Sequence, residues 1–383
     1  MVSKHDPNLK ENGVRIQIQG SLGKYGVESF VQYLASSLMK INVQVSVTPP
    51  LGSFAVKGVG GRRRPAKKGL EDHLYRATEN KADLVHLNYA FPSLPLVLNP
   101  LSRVPLLYTV HGVPRPHLEP ELRFKIGYML EQASLRAVAK RVDRVIAISG
   151  YVQKLLLESY GINSDVIHNG VDTDLFHPIS PEMKLSLRSK TGIPVDAKIV
   201  LFVGRLSPYK DPLTLVESVR RVVPRLPGVV FIVVGEGPLR NVMISDILSS
   251  GIEGSVRLLS FLPRSELVRM VQMADVQVST APTEMFGFSV LEAMSCGIPV
   301  VAAAAGGPVE VLGRSGTFFK PGNAIDLAEK ILQILQDDGT RSTLGQAARE
   351  IALRDYAWEK VASKYADIYK SVVDGSRNNI MVG

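Results

Sequence analysis

The sequence predicts an α/β protein made of two parallel sheets covered by helices. Short β-branched runs alternate with longer helical patterns, as parallel strands joined by crossover helices require. The alternation breaks in a polar, proline-containing stretch at Ile193–Asp196 and then restarts. With 383 residues, the chain is also too long for one ordinary core and suits two domains.

In the first half, strands are expected at Val14–Gln19, Val43–Val47, Leu84–Asn88, Leu106–Val110 and Arg144–Ile148. Val27–Met39 and Leu122–Lys140 are helical between them, the second with basic residues at its outer positions. In the second half, strands are expected at Lys198–Val203, Val229–Val234, Val256–Leu259, Val276–Ser279 and Pro299–Ala302. The boundary near residues 180–196 gives an N-terminal domain of residues 1–190 and a C-terminal domain of residues 191–355. Tyr356–Val373 follows the helix Arg341–Leu353 with no strand after it. Its apolar spacing (Trp358, Val361, Tyr365, Ile368, Tyr369) is helical, and the helix of residues 356–383 is expected to pack back on the first domain. No short repeat is visible; the halves share only their architecture.

Apolar residues make up 45% and charged residues 21%, the balance of a soluble globular protein. No run approaches the roughly 18–20 apolar residues that span a bilayer. Met1–Asn12 lacks the apolar core of a secretory signal. The single cysteine, Cys296, excludes an internal disulfide and fits a reducing cytoplasm. A net charge of +9 points to an anionic partner: nucleic acid, a membrane surface or a phosphorylated molecule. The densest basic run, Lys57–Lys68, reads either as a solvated loop or as a contact for an anionic acceptor or lipid headgroup. Nucleic acid fits least, because no aromatic residues interleave with the charges.

Parallel-sheet proteins often bind dinucleotides, and Gly20–Gly26 follows the first strand. Its glycines suit an anion at a helix N-terminus, but their spacing is not G-x-G-x-x-G. The second strand ends in Thr48-Pro49-Pro50 with no acid for a ribose hydroxyl, which argues against a dehydrogenase. The second half is different. Gly204-Arg205-Leu206-Ser207-Pro208-Tyr209-Lys210 follows a strand, at the end where open α/β sheets bind ligands. Arg205 and Lys210 suit a diphosphate, unless they are merely surface cations. Gly235-Glu236-Gly237-Pro238 is a second turn that admits a ligand close to backbone. In Thr283–Gly297 a helix is expected to begin near Gly287–Ser289, leaving backbone amides open to phosphate or sugar oxygens. Glu284 lies before that helix and Glu292 one turn inside, so the two carboxylates can meet different hydroxyls of one elongated ligand. The plainer alternative makes Glu292 a solvated helix residue and Phe286 and Phe288 core.

Across nearly the whole chain, these segments resemble the family 4 glycosyltransferases, retaining enzymes of the GT-B fold. The sharpest element is E-x7-E, Glu284 to Glu292; His168–Asp172, Gly204–Lys210, Gly235–Pro238, Gly297–Val301 and Trp358–Val361 match in order. The resemblance implies two Rossmann-like domains facing across a cleft, with the terminal helix crossing back to the first. It implies transfer of a hexosyl group from a UDP-, GDP- or ADP-sugar to a hydroxyl acceptor, with no cofactor and no metal. Arg205 and Lys210 would neutralise the diphosphate, Glu292 would bind ribose and Glu284 the sugar. Gly26, Gly204, Gly235, Met285, Phe286, Gly287 and Phe288 complete the donor site. His111 would stand beside the transferred sugar, with Arg115 and His117 toward the acceptor, which is anionic or lipid-linked if the basic loop 57–68 meets it at the inner membrane face. Around Lys24-Tyr25-Gly26 the chain lacks the family's usual glycine pair. Asp172-Thr173-Asp174 looks like a metal motif but matches a structural segment of the family. Two alternatives remain: an epimerase of the same fold, and a protein that binds sugar nucleotides without turning them over. A phosphorylase fits less well, as nothing marks a pyridoxal phosphate lysine.

Overall fold

The computed structural model describes residues 14–20, 26–48, 82–99, 104–115 and 122–382. The chain divides into two compact units: Met1–Thr109 with Ala133–Ile146 and Ala362–Gly383, and Val110–Gln132 with Ala147–Val361.

Six strands form the first sheet: β1 (Arg15–Gln19), β2 (Gln44–Thr48), β3 (Leu84–Leu87), β4 (Leu106–Val110), β5 (Arg144–Ala147) and β6 (Asp165–Val166). Their order is β2-β1-β3-β4-β5-β6. Helix α1 (Gly26–Lys40) buries Phe30, Val31, Leu34 and Leu38 at helical spacing, the core-facing stripe of an amphipathic helix. Helix α2 (Leu122–Ala139) and helix α3 (Gly150–Tyr160) follow β4 and β5.

The same unit holds a buried polar chain. His86 on β3 lies with Nδ1 2.7 Å from the Tyr369 hydroxyl and Nε2 2.8 Å from Thr109 Oγ1. Thr109 in turn meets the Tyr365 hydroxyl at 3.1 Å, and the His86 and Tyr365 rings stack. Satisfying every member in this way keeps such a network from costing stability, since an orphaned buried polar group would. Tyr365 and Tyr369 belong to the C-terminal helix, which runs Trp358–Val382 and buries Trp358, Val361, Tyr365 and Tyr369. Its bounds fall within the expected residues 356–383.

Helix α4 (Pro181–Lys190) precedes the second sheet, which comprises β7 (Ile199–Val203), β8 (Val230–Val234), β9 (Val256–Leu259), β10 (Val276–Ser279), β11 (Val300–Ala303) and β12 (Thr317–Phe319). The order β12-β11-β10-β7-β8-β9 is doubly wound: the chain steps outward from β7 to β9, then returns to β10 and steps the other way. Every neighbouring pair in it is parallel, with Val276 opposite Val200 at the β10–β7 junction. The strand order therefore reverses between β7 and β10, and ligands of such sheets bind outside the carboxyl ends at that point. Leu215, Val219 and Val222 of helix α5 (Pro212–Val222) share one apolar core with Phe202 and Phe231 of the sheet. The strands β6 and β12, two and three residues long, escaped the sequence pattern because alternation cannot be read over so few positions.

A buried acid ties α4 to the amino ends of β7 and β10. Asp275 accepts from Lys184 Nζ at 2.8 Å, Arg188 Nη2 at 2.6 Å and the Ile199 amide at 2.8 Å. Burial alone would raise its carboxyl pKa, but the two cations and the amide outweigh that and hold it below the usual range.

Candidate active site

Three loops are stitched together by backbone at the carboxyl ends of β7, β8 and β9. Gly204 N donates to Val234 O at 3.0 Å, Leu206 N to Glu236 O at 2.8 Å and Gly235 N to Leu259 O at 2.9 Å. The approach is so close that a Cβ on Gly235 would stand 1.9 Å from the Gly204 carbonyl oxygen, and one on Gly237 2.3 Å from that of Leu206. Glycine at both positions is thus what lets the Arg205 loop lie against its neighbour.

Lys210 ends the single turn Pro208–Lys210, and Asp211 then caps α5. The Lys210 carbonyl accepts from Thr280 Oγ1 at 2.7 Å, which links the β7 loop to the β10 loop. The Lys210 ammonium donates to Glu284 Oε2, and Tyr209 Oη donates to the Thr283 carbonyl at 2.9 Å. Burial raises the Tyr209 phenol pKa, and the Glu284 charge adds to that.

The Glu284 backbone is clamped as well. Its carbonyl accepts from the Gly307 amide at 2.8 Å, and a Cβ at Gly306 would stand 2.5 Å from that same oxygen. The next carbonyl, of Met285, accepts from Ser149 Oγ at 2.6 Å. Ser149 Oγ also accepts from Val152 N at 3.1 Å and so caps α3. Gly287 (φ 102°) adopts the left-handed conformation that swings the chain into helix α6 (Phe288–Ser295). The first-turn amides of a helix have no partner within it, and an anion gains most there.

Glu292 lies one turn into α6, almost fully buried, and accepts from Arg264 Nη1 at 2.6 Å. Burial raises its pKa; the Arg264 charge works against the rise without cancelling it. The Arg264 guanidinium itself sits 4.5 Å over the Phe176 ring. His111 follows β4, and burial lowers its pKa to about 3, so its imidazole is neutral at pH 7. A Cβ at the adjacent Gly112 would be 3.2 Å from Met285 Cγ, which brings the β4 loop against the Glu284 segment. Arg115 Nη2 donates to Tyr151 Oη at 3.1 Å.

Comparison with known proteins gives the family. Residues 25–175 match the model of Glycosyltransferase Family 4, and residues 183–351 match that of the Glycosyl transferases group 1. A D-inositol 3-phosphate glycosyltransferase of Corynebacterium aurimucosum is 30% identical over 311 residues, 77% of this chain and 73% of that protein. The chain belongs to the family 4 glycosyltransferases. A GDP-mannose-dependent monoacylated alpha-(1-6)-phosphatidylinositol monomannoside mannosyltransferase of Corynebacterium glutamicum is 27% identical over 248 residues, covering 62% of this chain and 65% of that one. Among solved structures, a Rickettsia africae glycosyltransferase superposes with a TM-score of 0.75 at 20% identity, covering 95% of this chain and 99% of that chain. Anabaena HepE, solved with UDP and glucose, gives 0.73 at 22% identity, covering 94% and 100%. These likenesses establish the GT-B fold.

In this glycosyltransferase, Lys210 and Glu284 meet directly, Arg205 lies in the same stitched loop, and Met285 and Gly287 continue the segment. Phe286 is core, 1% exposed, with its ring against those of Phe288, His168 and Tyr356. Only its backbone is therefore left for a ligand. Gly26 opens α1 with φ 58°; residues 21–25, the basic loop 57–68 and His117 lie outside the described residues. Asp172 Oδ1 accepts from the amides of Asp174 (3.2 Å) and Leu175 (2.9 Å), so this acid caps a turn. Among the described residues no group of three or more His, Cys, Asp or Glu could hold a metal ion.

Arg264, Tyr209 and Ser149 escaped the sequence reading. Arg264 could have been found by the rule that located Arg205, since it too follows a strand end. Ser149 carried a weaker signal, a serine just before a helical run.

Proposed function

We propose that this family 4 glycosyltransferase moves a hexosyl group from a nucleoside-diphosphate sugar to a hydroxyl acceptor, with retention of configuration and without a metal. The observation that carries the reading is the Lys210–Glu284 pair beside the Arg205 loop, at the strand-order reversal between β7 and β10. On this reading residues 191–355 hold the donor, and residues 1–190 with the helix of residues 356–383 serve the acceptor.

A departing nucleoside diphosphate develops negative charge, and fixed cations lower that barrier because they need not reorganise during reaction. Arg205 and Lys210 supply this charge, and the α6 amides add a neutral contribution. Glu284 accepts from the sugar hydroxyls while orienting the Lys210 ammonium. Glu292, held by Arg264, accepts from the ribose. His111, kept neutral by burial, offers the transferred sugar a hydrogen bond without an opposing charge.

The relatives support the substrate classes. One is named for GDP-mannose and a phosphatidylinositol mannoside, another for D-inositol 3-phosphate, and HepE was solved with UDP-glucose. An anionic or lipid-linked alcohol is the acceptor class that also suits a chain of charge +9, with the basic loop 57–68 as its contact. The enzyme then works at the cytoplasmic membrane face; no described helix is long and apolar enough to cross a membrane.

Thermal-shift screening against UDP-, GDP- and ADP-sugars, repeated with EDTA, tests the donor. Stabilisation by one nucleotide series that survives EDTA is expected; stabilisation only with manganese would overturn the metal-free site. Proton NMR of the product fixes the anomer, and inversion would refute retention. Conversion of donor without acceptor would instead identify an epimerase, and binding without turnover a non-catalytic protein.

A further inference from the structure

The segment 172–176, whose acids look like a metal motif, has a different task. Asp172 Oδ1 caps its turn, and the Phe176 amide closes it by donating to the Asp172 carbonyl at 2.9 Å. The turn delivers Phe176 into the interior, where it is 0% exposed. Its carbonyl accepts from Ser295 Oγ at 2.6 Å and from Arg349 Nη1 at 3.0 Å. Ser295 lies on α6, about one turn beyond Glu292. The carbonyl of the next residue, His177, accepts from Gln272 Nε2 at 3.0 Å. Gln272 belongs to the helix Arg264–Met273, whose first residue is Arg264. The backbone of 176–177 is thus fastened to both helices that carry the Arg264–Glu292 pair.

The Phe176 ring closes the circuit. The Arg264 guanidinium lies 4.5 Å over it and donates to Glu292 Oε1 at 2.6 Å. The Arg264 side chain is 23% exposed and that of Glu292 9%. One hydrogen bond sets the length of such a contact but not the plane of the guanidinium. A partly exposed arginine has other rotamers open to it, and an aromatic face restricts them because a flat cation stacks on it. The bond engages Oε1 and so leaves Oε2 to a ligand hydroxyl. We propose that Phe176 is a positioning residue of the donor site: its ring holds the Arg264 guanidinium in the plane that turns Glu292 toward the ribose hydroxyls. The inference rests on the reading of Glu292 as the ribose acceptor. It adds that a buried aromatic residue, which no ligand touches, sets the preference for a ribonucleotide.

Calorimetry on the full-length protein with UDP, GDP and ADP selects the tightest of the three. That nucleotide is then compared with its dideoxy counterpart, which lacks both ribose hydroxyls. The wild type should prefer the ribonucleotide by about tenfold or more, because a group built to accept from a hydroxyl is left unpaired without it. Phe176→Leu should bind the ribonucleotide several-fold more weakly and the dideoxynucleotide as before, so that the preference shrinks. Lost core packing alone would weaken both nucleotides equally. Arg264→Lys keeps the charge but not the flat face and should shrink the preference likewise; it carries the test if Phe176→Leu does not fold. The double variant should lose no more than the more affected single one, since the two residues act in series. Full preference in either folded single variant, or equal loss for both nucleotides in Phe176→Leu, overturns the proposal alone when Glu292→Gln abolishes the preference. A wild type that binds none of the three or shows no preference overturns the assignment of Glu292 to ribose, and the proposal with it. So does a Glu292→Gln variant that keeps the preference.

Discussion

Lys210 and Glu284 join the carboxyl ends of two neighbouring strands, β7 and β10, by a direct ion pair between side chains 74 positions apart in the chain. The pair fixes a cation where a diphosphate is expected and leaves the carboxylate's other oxygen held by its own segment's backbone. Lys210→Ala and Glu284→Gln should each lower kcat/KM by about 10²–10³-fold, the scale of losing one preorganised electrostatic contact. The double variant should lose less than the product of the two, since the residues act as a unit. Strict multiplicativity in steady-state kinetics would show that they act separately.

Arg264 is expected to matter through Glu292. Burial raises the Glu292 pKa and Arg264 opposes the rise. Arg264→Met removes the opposition, so less carboxylate is present at a given pH. Calorimetric affinity for a nucleoside diphosphate should fall about tenfold, and the deficit should widen as pH is lowered from 8 to 6. A deficit independent of pH would point to lost packing on Phe176 instead.

His111 gives a pH signature of its own. Its folded pKa, about 3, lies below the unfolded value near 6.5, so between them only the unfolded chain takes up this proton. Proton uptake by the unfolded state favours unfolding. His111→Gln should therefore flatten the loss of stability seen as pH falls below about 6.5, read from denaturant midpoints. The His111 ring resonances should not titrate between pH 5 and 8.

Asp275 acts in the same sense as His111, but at lower pH. Its depressed folded pKa contributes stability that is complete above the unfolded value, near 4, and is lost as pH falls through the folded one. Asp275→Ala strands Lys184 and Arg188 and should cost about 3–5 kcal/mol, while Asp275→Asn should cost less. Urea midpoints at pH 7 would check both.

Gly237→Ala places a methyl where the Leu206 backbone already stands. The Arg205 loop must shift, so transfer should fall by about tenfold or more, with the melting temperature lowered by a few degrees. An active Gly237→Ala enzyme would mean that the loop's position is not critical.

Much of this was legible in the chain. Five strands of the second sheet could be read because each is a β-branched run between turns; Gly235 and Gly237 read as admitting a ligand, whereas the backbone of Gly204 and Leu206 is what lies against them. The start of α6 at Phe288 followed from Gly287. Partners that depend on three-dimensional neighbours could not be read in this way. Nothing near Glu292 in sequence announces Arg264, 28 positions earlier. Nothing near Ser149 announces the Met285 carbonyl, 136 positions on.

The Ser149 hydroxyl couples two jobs mechanically. It completes the first turn of α3 and, with the same oxygen, tethers the Met285 carbonyl one residue beyond Glu284. Glu310 adds a second tether, accepting from the Gly150 amide at 2.7 Å and from His168 at 2.6 Å. A displacement of the Glu284 segment must therefore either carry the start of α3 with it or break the Ser149–Met285 bond. Amide exchange at Val152 would then report, from outside the donor site, whether filling the site moves the loop.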